Sequence, residues 1–529
     1  MRVHAFVVVT VCACGGGDNP IDPGPGPGPL PPPSCAPAAS ASPTVQEPQL
    51  LATLADRWHE AWLASPAVAD LDGDGASEII VPRHEQLIVW HLDGTVAWRA
   101  TMPGRIWASP VIGDLVPGAP GLEVAVAARG EIAMFDATGA ALPGFPFAWR
   151  DELRSLAAGD IDGDDDLELV AVTSSPLSAN GQRDIVIAIH GNGSVATGFP
   201  PNTSGAAGCD DACYVTGGYD QNIALGDVDG DGKADLFQTQ DNAYMSLHDG
   251  TGRAFDAAPI FEDRTKFSGI RWMVDYRLAQ QGYADDESVD EQAHFTNTAP
   301  AIADLDGDGT AELIALGSVQ NAAQNDRERG VAVFVTRPDG TRPEAWVAPP
   351  RFASYLSGLW DFGENLVGIT NQIAVAEIDP TKAGPELVFA GFDGQIHAID
   401  ARGAELWSST YTTSAQTWTA GVAIADLSGD GTPELVMTTY GASGGELLIL
   451  DAGGNIKHRV ALGGRGAMPV PTIVDVDGDN DLDIVVSLKD AVDREKSVVI
   501  YEVPGSAPNC VLWATGRGNL RRDGYVPPN

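Results

Sequence analysis

An all-β fold, a propeller of four-stranded blades, is what this 529-residue chain predicts. Three observations carry the expectation. A nine-residue acidic phrase recurs six times, each copy runs into a short apolar segment with strand character, and hairpin signals follow at a regular interval.

The acidic phrase comes first because it is the most specific. Asp70, Asp72, Asp74 and Glu78 stand at positions one, three, five and nine of the first copy. Asp160, Asp162, Asp164 and Glu168 repeat it, as do Asp227, Asp229, Asp231 and Asp235, and Asp304, Asp306, Asp308 and Glu312. The last two copies are Asp426, Ser428, Asp430 and Glu434, where a hydroxyl replaces one carboxylate, and Asp475, Asp477, Asp479 and Asp483. Carboxylates packed this closely repel one another unless a cation joins them. Ca²⁺ suits the set because it accepts six to eight oxygens in a forgiving geometry, and glycines such as Gly73 and Gly75 let the backbone turn around an ion. The expectation is up to six Ca²⁺ sites, the weakest at Ser428. An EF-hand is excluded. It needs a bidentate Glu at loop position 12 and flanking helices, whereas position 12 here is Val81, Ala171, Gln238, Ala315, Met437 or Val486, with strand-like residues around it.

The repeating frame comes next. Two further stretches, Asp114 to Glu123 and Glu377 to Glu386, sit where a loop is due but carry proline and glycine in place of aspartates. They read as turns held by backbone stiffness. Small apolar segments such as Ser65-Pro66-Ala-Val-Ala69 precede the loops, and hairpins such as Leu87 to Trp98 and Ile396 to Trp407 follow them. Eight units of about four strands favour eight blades, with seven as the alternative, and closure into a ring limits exposed edges.

On these residues the chain resembles the FG-GAP or VCBS repeats of bacterial surface proteins, related to the calcium-bearing blades of the integrin α-subunit head. The hairpins ending Asp-x-x-Gly-x-x-x-Trp also resemble quinoprotein-type propeller repeats. The resemblance spans nearly the whole chain after its leader and implies a calcium-binding propeller, in a family whose members are mostly of unknown function.

The ends and the cysteines suggest a compartment. A short apolar run, Ala5 to Val11, reads as a secretory signal and is too short to span a bilayer. With Cys12 and Cys14 behind it, it resembles a bacterial lipoprotein signal over residues 1–13, with Cys14 as the lipidated residue. Residues 14–50 form a linker rich in proline and glycine, and residues 51–529 form the propeller domain. Cys35 with Cys510 and Cys209 with Cys213 are disulfide candidates, the first as a staple between entry and exit of the ring, with zinc as the competing reading of the Cys209–Cys213 pair. The localisation expected is exported, at an outer membrane or cell surface, with the membrane met through a lipid anchor only.

A formal net charge of −42 argues against nucleic acid as a partner. The chain lacks H-E-x-x-H and P-loop motifs. Aromatic residues recur before the loops: Trp62, Tyr219 and Trp418 eight residues ahead of the first aspartate, and Trp107 seven. Blade-to-blade packing is the plain reading, and a sugar platform the alternative. Long insertions at Ser174–Asp184, Pro200–Asn222, Ala254–Thr298 and Thr336–Gln372 offer Arg271, Trp272, Tyr276, Trp346, Tyr355 and Trp360 as ligand-face candidates. The function expected is a surface-anchored binding or adhesion module for a glycan or protein partner. The alternatives are a propeller-fold polysaccharide lyase or hydrolase and a structural subunit of an envelope assembly. The C-terminal segment from Leu512 to Tyr525 is expected to complete the first or last blade.

Overall fold

A computed structural model describes residues 35–57, 59–176, 186–201, 218, 221–240, 244–261, 265–272, 274–280, 291–295, 298–320, 328–356, 359–362, 365–368, 372–492 and 496–528. Cys14, Cys209, Cys213, Tyr219 and the acidic run Asp285–Glu287 lie outside them.

Eight antiparallel blades follow one another along the chain. In blade one the strands are Ala67–Ala69, Glu78–Arg83, Gln86–Trp90 and Val96–Thr101, each paired with the next. The short first strand of each blade touches that of the next, and Thr472–Val474 of blade eight touches Ala67–Ala69 of blade one, so the ring closes. Eight strands converging on one axis leave little room, and their sequences are correspondingly small: Ala67, Gly113, Gly159, Gly226, Ala303 and Ala376 lie on them. Second and third strands are clamped between neighbouring blades and buried along their length, as in Glu78–Arg83 and Gln86–Trp90. They therefore read as continuous apolar runs, whereas the outer strand Val96–Thr101 alternates toward solvent. Each fully buried Val, Leu or Ile contributes roughly 1.5–3 kcal/mol.

The hairpin tryptophans join blades. Trp98 Nε1 donates to the Ala137 carbonyl of the next blade at 2.9 Å, Trp346 Nε1 to Ala401 at 3.2 Å and Trp407 Nε1 to Ala452 at 2.8 Å. These buried or half-buried indoles satisfy their single donor across a blade boundary.

Closure comes from the N-terminal side. Gln49–Leu54 pairs antiparallel with Lys496–Val503 and becomes the outer strand of blade eight. Residues ahead of it lie across the loop of blade seven, where Ala38 N donates to Gly429 O and Ser42 N to Ser428 O. Cys35 and Cys510 are disulfide-bonded, with Cα atoms 4.8 Å apart. The C-terminal segment does not complete a first or last blade. Val511–Trp513 pairs with the innermost strand of blade seven and Tyr525–Val526 with that of blade five, so the segment lies inside the ring. The outer position that it would have taken in blade eight is filled by Gln49–Leu54.

Candidate functional site

Alternating strand direction sorts the connections onto two faces. The acidic loops join first to second strands, so they share a face with the turns between third and fourth strands. Among the described residues, turns between second and third strands and the blade-to-blade crossovers lie on the other face, whereas 254–267 and 337–350 link third to fourth strands on the acidic-loop face.

Within each acidic loop the first aspartate organises the backbone. Asp70 Oδ1 accepts Gly73 N at 2.8 Å and Asp74 N at 3.1 Å, while Oδ2 accepts Gly75 N at 2.8 Å. Asp304 repeats the pattern with Gly307, Asp308 and Gly309, and Asp227 with Gly230, Asp231 and Gly232. Gly73 and Gly75 take φ of 77° and 91°, the left-handed backbone these turns require. The ladder carboxylates converge: oxygens of Asp70, Asp72 and Asp74 lie within 4.8 Å of one another, as do those of Asp160, Asp162 and Asp164, of Asp227, Asp229 and Asp235, and of Asp304, Asp306 and Asp308.

The last acid has a second task. It opens the second strand directly opposite a residue of the first, as in Ala69↔Glu78 and Gly113↔Glu123. One of its oxygens accepts the N–H that follows the loop's first residue: Leu71 to Glu78 at 3.0 Å, Ile161 to Glu168 at 3.1 Å, Val228 to Asp235 at 3.0 Å, Leu305 to Glu312 at 2.9 Å, Leu427 to Glu434 at 2.7 Å and Val476 to Asp483 at 2.8 Å. The two loops without a ladder keep this clamp, with Leu115 to Glu123 at 2.8 Å and Ile378 to Glu386 at 2.9 Å. Sequence reasoning saw the acid only as a ligand.

Burial pushes these carboxyls upward, against their backbone hydrogen bonds and with help from neighbouring aspartates: Asp235 and Glu434 to about 8, Glu312 and Asp483 to about 7. The second oxygens of Glu312 and Asp483 are buried with no hydrogen-bond partner. An oxygen-only set with buried unpartnered carboxylate oxygens suits a hard divalent cation, whose charge would hold these groups ionised. A depression of about 470 Å³, lined by Asp306, Glu312, Arg337, Trp346 and Arg402, lies beside the blade-five loop.

The blade-seven loop differs. Asp426 and Ser428 are buried, and Asn509 Nδ2 donates to Asp426 Oδ2 at 3.1 Å. A protein amide therefore competes for an oxygen that a cation would use.

On the opposite face, Trp62 and Trp107 meet edge to face, ring centroids 5.8 Å apart. Cations surround them. The Arg105 guanidinium lies 5.2 Å from the Trp62 ring and 4.8 Å from Trp107, Arg154 4.2 Å from Trp107, and Lys489 Nζ 3.9 Å from Trp62. Glu60 gathers Arg105 at 2.8 Å, Arg465 at 3.4 Å and Lys489 at 3.5 Å. Burial lowers the Lys489 ammonium to about 8, with Glu60 opposing the shift. Both tryptophans and both arginines of the pair are half-buried. Trp418 and Tyr440 meet nearby with tilted rings 5.2 Å apart, and Trp62 and Trp418 both pack against the cluster of Leu63, Tyr440 and Met468. Three of the periodic aromatics, Trp62, Trp107 and Trp418, thus lie together with cations that no sequence motif announced.

Two ligand-face candidates are corrected. Trp272 is fully buried against Phe261 and Phe267, and Trp346 is buried in its interblade contact on the acidic-loop side. Tyr276 is half-buried and, with Trp272 and Phe334, surrounds the buried Arg342 guanidinium at 4.8–5.5 Å. Tyr355 is half-buried on the crossover face, and the side chains of Arg271 and Trp360 lie outside the described residues.

No family profile matches the chain, and no curated protein matches its sequence. Solved structures resemble it in shape. The V. cholerae biofilm matrix protein Bap1 superimposes with a TM-score of 0.51 at 14% identity, covering 92% of this chain and 97% of that one. The exotype rhamnogalacturonan lyase YesX gives 0.50 at 16% identity, covering 90% of this chain and 80% of that one. At such identities the likeness speaks for the fold alone, and the fold is an eight-bladed β-propeller.

Proposed function

We propose that this chain is an exported, surface-anchored propeller of the FG-GAP/VCBS type, stabilised by calcium in its acidic loops and acting as a binding module for a glycan or protein partner. Export and anchoring rest on the leader and Cys14. Calcium would be held by the ladder carboxylates and the last acid of each loop, where it supplies charge that offsets their repulsion. The observation that carries the reading is the division of labour between faces. Carboxylates capable of holding ions occupy one face and tie first strands to second, while the Trp62–Trp107 cluster occupies the other. Half-buried indoles flanked by guanidinium groups suit a ring-shaped, oxygen-rich ligand, and a glycan is the partner class favoured.

The lyase reading draws support from the fold shared with YesX and from a lysine held near neutrality. Against it, Lys489 Nζ is buried over Trp62 and donates to Ala61 O at 3.0 Å, which leaves it badly placed to take a proton from a sugar. The deciding experiment incubates the purified protein with a panel of neutral and acidic polysaccharides, with calcium or chelator, and scores retention and cleavage products. Retention without cleavage, weakened at least tenfold by Trp107→Ala, is expected. Unsaturated oligosaccharide products that disappear in Lys489→Met would overturn the binding reading.

A further inference from the structure

We propose that the axial channel of the ring is a peptide-binding site in its own right, and that residues 510–526 are its ligand, bound in cis. The inner edges of the first strands need partners. Eight first strands bring their inner edges to one axis, and each edge carries N–H and C=O groups that a channel must satisfy. The C-terminal segment meets them blade by blade. Cys510 O accepts Asp426 N of blade seven at 2.8 Å, and Ala514 O accepts Ile473 N of blade eight at 2.8 Å. After a tight turn, Leu520 O accepts Ile112 N of blade two at 3.0 Å, Arg521 O accepts Ala158 N of blade three at 2.9 Å, Asp523 O accepts Leu225 N of blade four at 2.8 Å and Gly524 O accepts Ile302 N of blade five at 3.0 Å. Ile473, Ile112, Ala158, Leu225 and Ile302 all stand two residues before the first position of their loops. The segment therefore reads the same rung of successive strands as it winds around the axis.

Side chains reach the remaining blades. Arg522 is fully buried, and its guanidinium donates to Pro66 O of blade one at 2.9 Å, Pro110 O of blade two at 3.0 Å, Thr515 Oγ1 at 2.8 Å and Gly516 O at 3.0 Å. Arg517, also fully buried, donates to Ser155 Oγ at 3.2 Å and to Leu156 O in blade three, while its N–H donates to Gln372 Oε1 ahead of blade six at 2.8 Å. All eight blades touch one seventeen-residue segment. Shape agrees with this pairing. A Cβ on Gly516 would come within 2.4 Å of Ser65 Oγ, and one on Gly226 within 2.5 Å of the Tyr525 ring, so channel and segment are fitted at both ends. The ligand class is a peptide bearing two arginines five residues apart, recognised by strand edges and by carbonyls that cap the guanidinium groups.

The test keeps the chain whole until it has folded. A protease recognition sequence is inserted between Ala507 and exposed Pro508, the folded protein is cut, and the Cys35–Cys510 bond is then reduced. Fragment 508–529 should stay with the ring through gel filtration, and a labelled synthetic copy should replace it over hours. The double variant Arg517→Met/Arg522→Met should release it at least tenfold faster. Loss of the wild-type fragment in a single passage, or equal release from the double variant, would overturn the proposal. If the inserted variant does not fold, hydrogen exchange on the native chain decides. The amides of Ile112, Ala158, Leu225 and Ile302 should be among the slowest, and exchange at the rate of exposed loop amides would reject the site.

Discussion

Loops 304–312 and 377–386 occupy the same place in adjacent blades and solve the same problem with different means. Both end in a buried glutamate whose carboxylate receives a backbone N–H at 2.9 Å. The first surrounds that glutamate with Asp304, Asp306 and Asp308, while the second has Pro380, Gly384 and Pro385 and a second N–H, from Asp379 at 3.0 Å, on the same oxygen. Burial raises both glutamates to about 7, although only the first has a ladder beside it. Burial, more than mutual repulsion, thus sets the protonation of the clamp. The clamp belongs to the blade, and the ladder is an addition to it.

The largest effect expected to separate the two loop types is the response to metal. If calcium occupies the ladders, a concentration one hundred times Kd stabilises each occupied loop by about 2.7 kcal/mol. Chelation should therefore lower the unfolding midpoint by many degrees. Asp306→Asn/Asp308→Asn should remove one loop's share of that response and Asp379→Asn none of it, as differential scanning fluorimetry across a calcium titration would show. An Asp379→Asn variant that loses calcium response would erase the distinction between the loops.

The clamp comes second. Glu386→Ala strands the buried N–H of Ile378, at about 1–3 kcal/mol, and the half-buried N–H of Asp379, at less. Denaturant unfolding should show that loss equally with calcium and with chelator, and Glu386→Gln should recover most of it.

Acidity gives a third, smaller handle. A carboxyl raised on folding binds its proton more tightly in the native chain, so its contribution is fully present below the unfolded value and is lost as pH rises through the folded one. In chelator the midpoint should fall between about pH 4.5 and 8, the window set by Asp235, Glu312, Glu434 and Asp483. Calcium should flatten this slope, leaving the part that belongs to Glu386 and ends near 7. Unfolding midpoints over that range, with and without metal, measure both.

The smallest effect concerns the exception among the ladders. Asn509→Ala frees an oxygen of Asp426, and calcium affinity at the blade-seven loop should rise about fivefold, the equivalent of ~1 kcal/mol. Calorimetric titration would resolve it as a change in the weakest site.

Much of this architecture was legible because it repeats. Eight copies of one frame expose strand order and the positions of the ladders, since each unit must fold by the same local rules. Apart from the Cys35–Cys510 staple, what does not repeat was not legible. The clamp was hidden behind the ligand role of the same glutamate, because one carboxylate has two oxygens and a sequence shows only the residue. The strand Gln49–Leu54 carries no period that assigns it to blade eight. The C-terminal segment, with Gly516, Arg517 and Arg522, reads as the closing strand of a first or last blade, yet its arginines are buried because strand-end carbonyls converge where it lies. Trp272 and Trp346 misled for a related reason: indoles beside arginine suit a binding surface, and they suit a blade boundary equally well.

Where the chain enters the disc has a geometric consequence. Residues 38 and 42 lie hydrogen-bonded over the loop of blade seven, on the underside that carries the carboxylates. Cys35 is thereby held on the acidic-loop side of the ring. The disulfide to Cys510 ties that entry directly to the segment paired with the innermost strand of blade seven, so the start of the described chain is fixed to the centre of the ring.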